Sequence, residues 1–138
     1  MKKYLILCVF ALCSCASLGE QFSPQQPNSE EAIVYFYRPW KYVGGGMSPD
    51  VQENGNTIIT MYNGGYYPHH TSAGKHTYTV ESIENTESIT VDAQAGKEYY
   101  VSSGVNWGAI SGRYNIKLVS DQSRALSEIK ECKLIQKD

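Results

Sequence analysis

The sequence predicts an all-β domain, an antiparallel β-sandwich of about seven strands, with a short α-helix at its C-terminal end. Three observations carry this. From Lys75 to Leu118, apolar and polar residues alternate, the period of a strand with one wet face. Turn-forming groups recur about every ten residues, at Asn54-Gly55, Asn63-Gly64-Gly65, Ala73-Gly74, Asn85-Thr86 and Ala95-Gly96. That spacing suits hairpins and is short for the crossovers of parallel pairing. Only beyond Ser120 does the period become helical.

The chain begins Met1-Lys2-Lys3, continues with an apolar run from Tyr4 to Leu12, and reaches Cys13-Ser14-Cys15, the order of a secretory signal. The apolar run is about half of the roughly 20 residues a helix needs to cross a bilayer, so a permanent span is the poorer reading. Leu12-Cys13-Ser14-Cys15 resembles the lipobox of bacterial lipoproteins, with Leu three places before the cysteine and a small residue just ahead of it. Cys13 departs from the Ala or Ser usual there. The resemblance implies a diacylglycerol on Cys15, cleavage between Ser14 and Cys15, and acylation of the new amino group. Several acyl chains, at about 0.8 kcal/mol per buried methylene, would make the attachment lasting; no other cofactor is expected. Ala16 stands where an Asp would retain the protein in the inner membrane. The same resemblance therefore implies an outer-membrane lipoprotein facing the periplasm in a Gram-negative host. Residues 1–14 are thus expected to be cleaved, and residues 15–29, rich in Gln, Ser, Pro and Asn, to form a lipidated tether reaching on the order of 50 Å. Residues 30–138 form the domain.

Within the domain, Glu31 to Tyr37 is apolar on both parities and reads as a central strand covered on both faces. Arg38-Pro39 ends it, since proline has no N–H for a ladder. Lys75 to Ser82 turns His76, Tyr78 and Val80 inward; Ser88 to Gln94 does so with Ile89, Val91 and Ala93. Tyr99, Val101 and Val105 continue the pattern, as do Tyr114, Ile116 and Leu118. Ser120 or Asp121 can then cap a helix from about Gln122 to Lys130, whose Ala125, Leu126, Ile129 and Cys132 share a face.

The order Ile33 to Pro39, Val51-Gln52-Glu53-Asn54-Gly55, Gly65-Tyr66-Tyr67, Ala73-Gly74-Lys75-His76 and Ala95 to Val101 resembles an uncharacterised family of small bacterial lipoprotein domains. That family is a domain of unknown function, similar in layout to PEGA-type or transthyretin-like sandwich modules. The resemblance covers most of residues 31–131, implies a sandwich, and supplies no enzymatic activity.

Removing residues 1–14 takes away Lys2 and Lys3 and no acid, leaving 10 basic against 14 acidic residues. Scattered lysines and a net negative charge argue against a nucleic-acid partner. Of the four cysteines, Cys8 and Cys13 leave with the signal and Cys15 carries lipid. Cys132 remains without a disulfide partner and is expected to be buried.

Catalytic patterns are weak. His69, His70 and His76 are the one grouping with metal-ligand residue types, and a metal-assisted hydrolase built on them is the alternative reading. Neighbouring strand residues face opposite ways, however, so His69 and His70 would not share an ion, and the two read as loop histidines. Ser102-Ser103 and Ser111-Gly112 make no nucleophile elbow. Gly44-Gly45-Gly46 lacks the lysine of a phosphate loop and reads as a flexible loop. Glu30-Glu31 and Glu84 with Glu87 read as solvated surface. The expectation is no enzyme and no bound metal.

Two loops suggest binding instead. Arg38, Trp40 and Tyr42 precede three glycines, and Trp107 heads Gly108-Ala109-Ile110. Tryptophan, tyrosine and arginine on loops are common interface anchors; the blander account is that Trp40 and Trp107 plug the ends of the sandwich. The expected function is a non-catalytic, membrane-anchored envelope module that docks a protein or cell-wall partner through these loops.

Overall fold

The computed structural model describes residues 18–137. Its strands are β1 (Leu18–Gln21), β2 (Glu31–Tyr37), β3 (Asp50–Glu53), β4 (Asn56–Thr60), β5 (Gly65–Ser72), β6 (Gly74–Glu81), β7 (Thr86–Ala93), β8 (Glu98–Trp107), β9 (Gly112–Leu118) and β10 (Lys133–Ile135), with helix α1 (Gln122–Ile129) before the last. They form a six-stranded sheet in the order β1-β10-β5-β2-β8-β9 and a four-stranded sheet in the order β4-β3-β6-β7.

The double-sided apolar character of β2 has a direct cause. Ala32, Val34 and Phe36 face the second sheet and join Val51, Tyr78 and Val91 in the main core. Ile33, Tyr35 and Tyr37 face the other way, into a smaller core closed by Ala125, Ile129 and Cys132. The helix thus adds a third layer over the outer face of the larger sheet. Asp121 caps it, its carboxylate accepting the Arg124 N–H at 3.1 Å.

Every turn group named from the sequence falls at a junction of two strands, Gly65, Gly74 and Thr86 being the first residues of β5, β6 and β7. At Asn54-Gly55 both residues have positive φ, 52° and 78°, the backbone of a tight two-residue hairpin joining β3 to β4.

The all-β sandwich with a C-terminal helix is the fold the chain adopts, with ten strands among the described residues where about seven were expected. Pairing is mixed: β2 runs parallel to β8 and β5 parallel to β10. The turn spacing concealed this because the crossover from β2 to β8 is built from β3 to β7, so adjacent strands still connect by short turns. β5 holds His69 and His70 within a sheet and not in a loop. Pro68 opposes Tyr35 there, and since β10 reaches only Gly65 and Tyr66, β5 is an edge beside the proline.

The tether also differs from expectation. β1 pairs antiparallel with β10, and Phe22 packs edge-on against Tyr35 and Tyr66 with ring centroids 5.4 and 5.1 Å apart. Gln25 gives its N–H to the Tyr35 hydroxyl at 2.8 Å. Outer-face tyrosines on β2 and β5 need cover, and Phe22 supplies it, so polar composition alone missed the ordering of Leu18 to Phe22, while residues 23–29 form no strand or helix. The signal segment, its cleavage at Ser14 and the lipidation of Cys15 lie outside the described residues.

Candidate functional site

Three connections meet at one end of the sandwich: the loop from β2 to β3, the turn from β6 to β7, and the turn from β8 to β9. Each is held by a polar side chain acting as a pin.

Arg38 pins the first. It is 2% exposed, and its guanidinium donates to the carbonyls of Gly44 at 2.7 Å, Met61 at 2.9 Å, and Met47. Burial lowers its pKa, yet guanidinium is basic enough to remain charged, and three carbonyl dipoles replace its water. Asn63 adds a second tie, accepting the Lys41 N–H at 2.9 Å and donating to the Lys41 carbonyl at 2.7 Å. The glycine run is therefore an ordered turn. Gly44 has φ 73°, and a Cβ there would lie 2.8 Å from Val105, so this position needs glycine on both counts.

Glu84 pins the other two to each other. Its carboxylate accepts the N–H groups of Ser111, Ile110 and Ala109 and the Nε–H of Arg113. These donors, Ser111 first, hold its pKa down to about 2. Asn85 completes the junction, donating to the Tyr114 carbonyl at 2.7 Å and accepting the Tyr114 N–H at 3.0 Å. Sequence pattern placed Glu84 among solvated carboxylates; its only signal was a position one residue before the turn asparagine.

These pins hold apolar residues out in solvent. Tyr42 is 88% exposed, Ile83 88%, Ile110 86%, Trp107 78% and Trp40 68%. The tryptophans are not end plugs. Tyr42, the glycine turn, Met47 and Trp107 line one cleft of about 380 Å³. Trp40 is set apart from that cleft, its side chain against Gly64. Of the four candidate binding residues, then, Tyr42 and Trp107 line one cleft, Trp40 lies apart against Gly64, and Arg38 holds the loop from beneath.

Residues 28–114 match a family described as protein of unknown function (DUF2846). The chain belongs to this family. The DUF2846 region runs from just before β2 into β9 and so contains the pinned loop end with Arg38, Glu84 and Trp107; β1, α1 and β10 lie beyond it. No curated protein and no solved structure matches the chain.

The histidines of the DUF2846 region are dispersed. His69 opposes Val34 and His70 opposes Ile33, so the two face opposite sides of the sheet. His69 packs among the rings of Phe36 and Tyr78, and burial lowers its pKa. His70 bonds Gln25 at 2.8 Å. His76 meets the Glu53 carboxylate at 2.7 Å and the Ser72 carbonyl at 2.9 Å. Among the described residues no three His, Cys, Asp or Glu side chains are grouped to hold a metal. Ser102 and Ser103 lie within β8. Cys132 is buried and unpaired; burial raises its pKa to about 11, keeping the thiol protonated, 3.6 Å from the Arg38 carbonyl. No described helix is long and apolar enough to cross a membrane.

Proposed function

We propose that this chain is an envelope lipoprotein anchored through acyl chains on Cys15, and that its DUF2846 domain is a non-catalytic module docking an envelope protein or cell-wall partner at the pinned loop end. The observation carrying the docking is the exposure of Tyr42, Trp107, Ile83 and Ile110 on turns held by Arg38 and Glu84. Apolar side chains kept in water at fixed positions lose little conformational freedom on binding, which favours an interface role.

The anchor fits the same arrangement. Only Ala16 and Ser17 stand between Cys15 and β1 in the sequence, so acyl chains on Cys15 would hold the domain close to the bilayer. Since β1 is antiparallel to β10 and β10 is parallel to β5, Leu18 is the end of β1 farther from the loops. In this reading the loops face away from the bilayer that holds the lipid, in the outer membrane of a Gram-negative cell. A layout shared with PEGA-type modules belongs to the same reading.

Crosslinking in cells followed by capture, comparing wild type with the Trp40→Ala, Trp107→Ala double variant, tests the docking. Loss of specific partners is expected, and identical partner sets would refute it. Intact mass from the native host tests the anchor: the chain begins at Cys15 and carries added acyl mass.

A further inference from the structure

On the outer face of the larger sheet, a second depression of about 280 Å³ opens between β8, β9, α1 and the start of the β2–β3 loop. It lies at the small end of ligand pockets, roughly 300–1,000 Å³. Its floor comes from outward positions of β8, where Ser102, Gly104 and Asn106 stand opposite Lys117, Asn115 and Arg113 of β9. Gly104 has a local purpose: a Cβ there would lie 3.1 Å from the Asn115 amide oxygen. With glycine in place, that amide extends across the strand beside the depression.

The charge around this floor is one-sided. Lys41, Lys117 and Arg124 line it, with Glu128 as the acidic member. Glu128 is already engaged, accepting the Tyr37 hydroxyl at 2.6 Å and the Arg124 Nε–H at 2.9 Å. Neither Lys41 nor Lys117 has an ion pair among the described residues. A chain of net charge −2 thus gathers a local positive excess in a concave, hydrogen-bonding place. Asn106 and Asn115 each offer both a donor and an acceptor, which suits a ligand with hydroxyl or amide groups next to its negative charge. The depression is not lined by the α1 N-terminus at Asp121, the kind of backbone N–H cradle that phosphate sites use.

We propose that this depression is a binding site for a carboxylate-bearing ligand of about one sugar or amino-acid residue, the carboxylate meeting Lys41, Lys117 and Arg124, and its neighbouring polar groups meeting Asn106 and Asn115. The depression shares Val43, Val105 and Asn106 with the Tyr42–Trp107 cleft, whereas Lys41 and Lys117 line the depression and not the cleft, so substituting the two lysines tests this site without removing a residue of the cleft.

Calorimetric titration of the intact protein in detergent tests this, with amide chemical shifts as a second readout. The probes are glucuronate against glucose, and N-acetyl-alanyl-alanine against its C-terminal amide. At least one acid binds about tenfold or more tightly than its neutral counterpart, as a charge-assisted contact implies, and shifts the Gly104 and Asn115 amides. The preferred pair tells a sugar acid from a peptide carboxylate. A Lys41→Gln, Lys117→Gln variant, substituted at two exposed residues and still folded, loses that preference, and Gly104→Ala weakens binding by moving the Asn115 amide. Equal binding of acid and neutral probes, a preference unchanged in the double lysine variant, or inorganic phosphate binding as tightly as the acids would overturn the proposal.

Discussion

The carboxylate of Glu84 accepts the backbone N–H of Ser111, and through it the turn after β6 and the turn after β8 become one unit. The pin adjoins two strongly exposed apolar residues, Ile83 and Ile110. Folding therefore fixes the surface that the proposed docking would use.

Glu84→Gln should loosen this junction. The neutral amide keeps one acceptor oxygen for three N–H donors and loses the charge assistance. Faster hydrogen exchange at Ala109, Ile110 and Ser111 is expected, with the rest of the domain unchanged. The pH dependence has a definite sign. The folded pKa of Glu84 is depressed to about 2, so its contribution is complete above the unfolded carboxylate value and is lost as pH falls through that window toward 2. Protection factors, which remove the intrinsic pH dependence of exchange, should fall at these three amides in wild type as pH drops and stay flat in Glu84→Gln.

Arg38→Met should destabilise the domain by about 3 kcal/mol, because the carbonyls of Gly44, Met47 and Met61 lose their shared donor. Arg38→Lys keeps the charge without the planar fork and should fall between the two. Denaturant midpoints rank the three proteins. A loop merely resting on the surface would leave all three alike.

Phe22→Ala tests whether the segment before β2 is part of the fold. Its ring meets Tyr35 and Tyr66 edge to face and is partly buried, so a loss of about 2 kcal/mol is expected, lowering Tm by several degrees. Phe22→Leu should recover much of it. A free tether would tolerate both changes.

His69 should make stability fall on the acid side of neutrality. Burial lowers its pKa below the ordinary value of 6.5. The unfolded chain thus takes up a proton that the folded chain resists, and stability is complete above 6.5 and declines as pH drops below it. Unfolding free energies from pH 8 to 5 should show this slope in wild type and a flatter one in His69→Phe.

Sequence alone settled the local matters. Alternation from Lys75 onward identified inward Tyr78, Val80, Val91 and Val101, and all four are buried. The apolar parities of Glu31 to Tyr37 announced a strand covered on both faces, and Asp121 announced a helix cap. Each of these depends on residues close together in the chain, where strand period, helix period and turn geometry act directly. Tertiary structure decided what depends on distant partners. β1 and β10 are too short to declare themselves and form by pairing with each other and with β5. Glu84 looks solvated until the chain returns, more than twenty residues later, to offer it three N–H groups, and Arg38 looks like a surface anchor until three carbonyls from two loops close around it. A hydrogen bond across such a gap leaves no period in the sequence, and so the fold class could be read from the chain while the geometry of its site could not.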